Sequence, residues 1–447
     1  VIGGGISGLY CVYKLLQKNK DLNILLVEKN NRLGGRISTF YGRNEGKKGD
    51  KEIIFEKGAA RFNDNHVLLQ KLIRELGLYK KKVMIKNVDN NIWIPKNKYE
   101  NLRKLYPKID NIIEELQKKL KIKKVGKNEI IKYNLQELVK KFLPNTYHNE
   151  NIIDYMEDMY PYYAEQFNMN AWDALQLFTQ DFNENIKYYI LNGGLSQIIF
   201  KLNKKIKGLG CTILTNYSVI NISKLSDNNY IINNEFQCHK IISSIPKPAL
   251  IQIKYLNSLL GSKILDSIEC IPLYRIYAKY PVSIINGEKK VWFSGMDKLV
   301  INHPLKFILP YGEKNGLIHI SYTDSKYAKY LWNKMEDGTI NMYLDEEINK
   351  IFKNKIKGLK KIPEPIWIKH YYWECGMGSW KKGINSKKLI SKIIKPSKKE
   401  EIYICGENFS NHQAWIEGSL FTAEKVLNKL NNIKYGGGNK KTKKVKY

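Results

Sequence analysis

The sequence predicts an α/β fold built on a Rossmann-like parallel sheet. Three observations carry that expectation. VIGGGISGLYCVYKLL (1–16) reads as strand end, tight turn and helix, NILLVE (23–28) as a buried strand closing on an acid, and EIYICGE (401–407) as another buried strand closing on Gly-Glu. A chain of 447 residues has length for two or three domains, and 43% hydrophobic with 12% aromatic content marks a folded protein.

The first element is the turn. Gly3-x-Gly5-x-x-Gly8 follows Val1-Ile2, and Leu9, Val12, Leu15 and Leu16 then recur at helical spacing. Gly3 permits the turn, Gly5 lets a diphosphate approach the backbone, and Gly8 lets the helix pack closely on the sheet. Ile6 and Ser7 open the helix, whose N-terminus offers amide donors and partial positive charge to a phosphate. Glu28, followed by Lys29, stands about 20 residues further on, where a carboxylate accepts hydrogen bonds from a ribose. An acid at this place, not an arginine, disfavours a 2′-phosphate and so NADP. Together these features predict a dinucleotide site.

The next element narrows the cofactor. Arg32-Leu33-Gly34-Gly35-Arg36 follows the Glu28 strand, and with it the sequence resembles the flavin-containing amine oxidase superfamily, which includes monoamine, polyamine and L-amino acid oxidases. Later segments extend the resemblance to about residue 430. Gly58-Ala59-Ala60-Arg61 is similar to the segment that passes the reactive edge of the flavin. Asn192-Gly193-Gly194-Leu195 is similar to the turn re-entering the cofactor domain. Tyr217 to Ile222 reads as an alternating strand, with Val219 at the adenine contact, and Ile241 to Pro246 resembles the strand that follows. Gly406-Glu407 matches the part near ribityl and diphosphate, and Trp415-Ile416 opens a last helix aimed at the flavin. The resemblance implies a Rossmann-like FAD-binding domain from residues 1–80, 190–250 and 385–430. An interleaved α+β substrate domain would come from 81–189 and 251–384. Within the latter, residues 109–122 show helical spacing with a lysine-rich exposed face. Arg36 is expected to neutralise diphosphate charge.

The resemblance also implies the chemistry. A hydride equivalent passes from the carbon beside an amine nitrogen to flavin N5, the imine is hydrolysed, and dioxygen reoxidises the flavin to give hydrogen peroxide. Trp380 and Trp415 are then expected as aromatic walls before the flavin, the alternative being that both are core tryptophans. The family's N5 lysine falls in IPLYRIYAKYP (271–281), where Arg275 and Lys279 are the candidates and Lys279 is taken forward. Cys375 lies four residues before Ser379, near which some members carry a flavin-linked cysteine, so FAD is expected to be noncovalent. Arg61 either holds a substrate carboxylate, as in L-amino acid oxidases, or serves cofactor and loop. The substrate is accordingly a small amine or amino acid, with O2 as oxidant; a protoporphyrinogen oxidase-like enzyme and a noncatalytic basic flavoprotein are the competing readings. Alkyl amines ionise near ~10.4, and burial lowers that by ~3 units, outweighing a cation–π contact of up to ~2 kcal/mol. The site is therefore expected to be dry and mostly apolar.

Composition sets the outer limits. A net charge of +32 comes from lysines spread along the whole chain, which favours compositional bias over a nucleic-acid face. The one cluster is KYGGGNKKTKKVKY (434–447), expected to be a disordered basic tail with at most nonspecific nucleic-acid contact; similar tails occur on proteins of large DNA viruses. Asp154, Glu157 and Asp158, with Glu165 beyond, form an acidic run that reads as a solvated helix face or a polycation patch. Six cysteines without a C-x-x-C pair suit a reducing compartment and argue against a disulfide scaffold. Seven histidines show no metal-ligand spacing. No apolar run has the ~20 residues of a membrane span, so a soluble, cytoplasmic protein is expected, in host cytoplasm or virion if viral. The first residue is Val inside a strand, so the N-terminus is read as truncated, with any targeting signal out of view.

Overall fold

The structure is a computed structural model that describes residues 1–42, 53–85, 91–93, 98–182, 185–285, 288–352 and 361–431. The basic tail falls outside them.

The opening glycine turn sits at the centre of a parallel sheet. Ile2 bridges Val27 on one side and Ser243 on the other. Leu25–Val27 pairs in parallel with Thr212–Leu214, and Ile241–Ser243 with Ile402–Ile404. In order of appearance along the chain the arrangement is 3-2-1-4-5, the doubly wound pattern with its switch point beside the first glycine turn. The predicted strands are there but shorter: residue 2 forms only a bridge, and the 23–28 strand contracts to Leu25–Val27. The Tyr217–Ile222 strand is corrected, because ladder pairing begins only at Ile222. Ahead of it, Ile220 and Asn221 donate their backbone N–H groups to the Asn233 side chain, leaving 217–221 outside the ladder.

The Ile6–Lys18 helix packs on this sheet through Leu9, Val12 and Leu16, all fully buried, and against the Ile416–Asn431 helix. Gly8 makes the close packing possible: a Cβ there would lie 2.2 Å from the Gly3 carbonyl oxygen.

A second sheet of six strands runs in the order 367–380, 268–279, 317–324, 307–312, 299–301, 91–93, antiparallel except for its last pair. Alternation along Ile268–Lys279 divides its residues. Tyr274, Ile276 and Ala278 face a core shared with the Ser325–Glu336 and Ile340–Phe352 helices. Leu273 and Arg275 face the other way, into a cavity. Helices Ile109–Ile122, Leu135–Phe142, Ile152–Met159 and Ala171–Leu177 build a further core beside it. The first of these matches the span that periodicity predicts.

The cysteine expectation is corrected. Cys270 and Cys375, 105 residues apart, are joined as a disulfide because the strands that carry them are sheet neighbours. Cys11, Cys211, Cys238 and Cys405 are free. Among the described residues no helix is long and apolar enough to cross a membrane.

Candidate active site

One cavity of about 1910 Å³ runs from the glycine turn of the parallel sheet to the inner face of the six-stranded sheet. Sites for drug-sized ligands occupy ~300–1,000 Å³, so there is room for a dinucleotide and a substrate together.

At the sheet end the wall is largely backbone. Gly3, Gly5, Ile6, Ser7, Gly34, Gly35, Gly58, Ala59, Ala60, Val219 and Gly406 all line it. Gly8 does not, in keeping with its packing role. Glu28 is buried, one carboxylate oxygen accepting from Gly4 N and the other from Asn30 N and Nδ2. Lys29 and Arg32 flank it on the wall; the Arg32 guanidinium donates to the Gly35 carbonyl, bracing the second glycine turn. Gly58 is held against that turn, where a Cβ would lie 2.1 Å from the Arg36 carbonyl oxygen. Two helix N-termini, at Ile6–Ser7 and at Ile416, open onto the same space. A groove of glycine backbone, an acid at its side and two positive helix ends is the donor and acceptor set a flavin dinucleotide calls for.

Glu407 ties the parts together. Its carboxylate accepts from Gly378 N, Ala414 N, Asn408 Nδ2 and the Arg36 guanidinium. Arg36 therefore lines the cavity already paired with an acid, and also donates to the Gly376 carbonyl.

At the substrate end the wall, expected to be mostly apolar, also carries charge. Arg61, Arg275 and Lys298 reach the cavity among Tyr160, Tyr162, Tyr188, Tyr311 and Tyr322. The Arg61 guanidinium lies 4.4 Å over the Tyr188 ring, and no carboxylate among the described residues pairs with it. Arg275 lies 4.4 Å over Tyr322 and donates to the Glu56 carbonyl. His319, stacked on Tyr277, is held neutral by burial and by Arg275, its pKa well below the ordinary value. Several buried atoms on this wall lack hydrogen-bond partners: Tyr160 Oη, Glu165 Oε2, Arg275 Nε, His319 Nε2 and Trp415 Nε1. Such atoms mark where a ligand supplies the missing partners.

The aromatic expectation divides. Trp415 lines the cavity with Trp373, whose indole N–H donates to the Lys57 carbonyl. Trp380 is corrected to a core residue: it is fully buried, its N–H donates to the Ser410 carbonyl, and it does not line the cavity. Lys279 is corrected too. It lies four residues beyond Arg275, ~13 Å along the strand. Tyr277 stands between them, its ring stacked on Phe55. Arg275 is the residue of that strand that reaches the cavity.

Behind Trp415 lies a group that linear histidine spacing misses. His66 and His412 each donate from Nε2 to a different oxygen of Asp181, at 3.0 and 2.9 Å. The His66 ring sits edge-on to Trp415 with centroids 4.7 Å apart. The three donor sets lie within 4.8 Å of one another, a spacing that admits a metal. His66 Nδ1, however, accepts from Asn63 N–H, which places the ring proton on Nε2 and suits a hydrogen-bonded clamp instead. Of the acidic run, Asp154 is exposed, Glu157 pairs with Lys326 and Asp158 with Lys98, whereas Glu165 is buried on the cavity wall.

Comparisons with known proteins agree with this architecture. The pattern of the family described as "Flavin containing amine oxidoreductase" matches residues 6–426. An uncharacterized protein of Acanthamoeba polyphaga mimivirus is 23% identical over 503 residues, spanning 98% of this chain and 93% of its own, in line with the viral resemblance of the tail. The L-amino-acid oxidase of Mus musculus is 37% identical over 93 residues, 21% of this chain and 13% of that one. A solved structure of a putrescine oxidase redesigned in cofactor binding superposes with a TM-score of 0.68 at 12% identity, covering 96% of this chain and 97% of that one.

Proposed function

The chain belongs to the flavin containing amine oxidoreductase family, and on that premise we propose that it is an FAD-dependent oxidase of α-amino acids. The observation that carries the substrate reading is Arg61. A guanidinium facing the cavity with no carboxylate of the described residues paired to it is suited to take one from the substrate, in bidentate geometry.

A flavin bound there would supply the acceptor for a hydride from the carbon beside the substrate nitrogen and the route of its electrons to dioxygen, with the imine left for water to hydrolyse. The remaining work falls to the chain. Glu28 takes the ribose, Val219 the adenine, and the Ile6 and Ile416 helix ends the diphosphate and the flavin's electron-rich edge. Cys375 is the only cysteine on its strand and is joined to Cys270, leaving no thiol there for a flavin linkage, which supports noncovalent binding. Trp415 and Trp373 supply aromatic surface against the reacting carbon. The amine has to be neutral to lose hydride. Arg61, Arg275 and Lys298 favour that form by like-charge repulsion, where the sequence alone suggests an apolar box. The discontinuous cofactor domain and the interleaved substrate domain form part of the same proposal.

Arg61→Ala tests it. Bleaching of the flavin under argon should show kcat/KM for amino acids falling by about 10- to 100-fold, with plain amines spared. Equal losses for both classes would remove carboxylate recognition from Arg61.

A further inference from the structure

The cavity holds a second charged end. Glu165, on the Ala164–Phe167 turn of helix, is 4% exposed, and its Oε2 has no hydrogen-bond partner. Tyr160, beside it on the wall, has an unpartnered phenol. Asp324 is buried nearby, but its carboxylate already accepts from Tyr163 N and Ala164 N, and Lys306 bears on it. Among the described residues, Glu165 Oε2 is thus the one buried carboxylate oxygen without a hydrogen-bond partner.

This end is distinct from Arg61. No ion pair joins the two, yet both act on the same tyrosines. Burial raises the Tyr160 and Tyr162 phenols most; Glu165 adds to the rise and Arg61 opposes it at each. The pair of tyrosines therefore stands within reach of a positive end and a negative end, and the cavity between suits a ligand with the opposite arrangement.

We propose that Glu165 receives a second, distal cationic nitrogen of the substrate, so that the preferred substrates are amino acids whose side chains end in an ammonium or guanidinium. The amino-acid part rests on the reading of Arg61 given above; the role of Glu165 does not. The chemistry at the acid is consistent. Burial and then Asp324 push the Glu165 carboxyl up to about 8, because a lone anion there lacks compensation, and an arriving ammonium supplies it. Tyr160 Oη is placed to accept from the same group.

Four small molecules of matched length separate the two ends: L-lysine, L-norleucine, 1,5-diaminopentane and pentylamine. They carry both ends, the carboxylate only, the second cation only, and neither. Affinity is read from the concentration dependence of flavin bleaching under argon and, independently of turnover, from the rise in thermal midpoint. With the flavin-loaded protein, L-lysine should bind at least about tenfold tighter than L-norleucine. Glu165→Gln should bring that ratio to about one, the loss falling on L-lysine, and an unaltered flavin spectrum should show the cofactor site intact. Diaminopentane over pentylamine should collapse in the same variant. If the wild-type protein binds L-norleucine as well as L-lysine, or Glu165→Gln weakens all four equally, the proposal fails. If Arg61→Ala leaves lysine over diaminopentane unchanged while Glu165→Gln still erases the preference for the second cation, the carboxylate reading fails and the role of Glu165 stands.

Discussion

Glu56 shows how much one buried residue decides. It is 7% exposed, receives Leu195 N and Thr39 Oγ1, and is pushed up to about 7 by burial, which those hydrogen bonds offset only in part. The folded state thus binds a proton more tightly than the unfolded chain, so this group's contribution is full below about 4.5 and is lost as pH rises to about 7. The loss is about 3 kcal/mol. Denaturant midpoints between pH 5 and 8 should fall with rising pH, and Glu56→Gln should flatten the slope. The two cavity-side tryptophan positions of the sequence reading separate at the same scale. Trp380→Ala empties a fully buried site and should cost about 3–5 kcal/mol of stability, read by denaturant unfolding. Trp415→Ala should instead slow flavin reduction with the cofactor retained. A variant that loses its flavin would make Trp415 a structural residue. The sequence leaves a cavity wall and a core position open for both Trp415 and Trp380; what tells them apart is the Ser410 carbonyl waiting for one indole and the cavity facing the other.

Among elements, the glycine turns were legible and the substrate wall was not, for a physical reason. A turn that brings backbone against a ligand is local, so its requirement is written in neighbouring residues. At Gly58 an added Cβ would meet carbonyl oxygen, not a flexible side chain. Gly58→Ala should therefore purify with less flavin, measured by the ratio of visible to ultraviolet absorbance. The substrate wall, by contrast, joins Arg61, Glu165, Arg275 and Lys298 from four separate segments, and no local pattern marks such a meeting. Strand phase does not separate Arg275 from Lys279, which share a face; Tyr277 and Phe55 fill the space between them, and Arg275 alone of the two lines the cavity. The acidic run misled for a related reason. Its helix carries Asp154, Glu157 and Asp158, while Glu165 lies on the next turn, past Pro161, and faces elsewhere.

On the scale of the whole molecule, the sheet order 3-2-1-4-5 draws its strands from residues 2, 25, 212, 241 and 402 onward. The opening helix is held to the last one by Ser7 with the Ser419 carbonyl and by Tyr10 with Glu424. The Rossmann-like sheet was legible from the βαβ signals, whereas its strand order and the Cys270–Cys375 link were not, because both depend on which distant strands become neighbours. This topology has a consequence for biosynthesis. The first nucleotide-cradling turn leaves the ribosome early but cannot be finished until the residues after 400 arrive, so most of translation passes with its partners unmade. Loading of the coenzyme is then a late, post-translational event. Nascent chains arrested before residue 400 should be colourless and protease-sensitive, and should lean on chaperones until the closing strand is delivered.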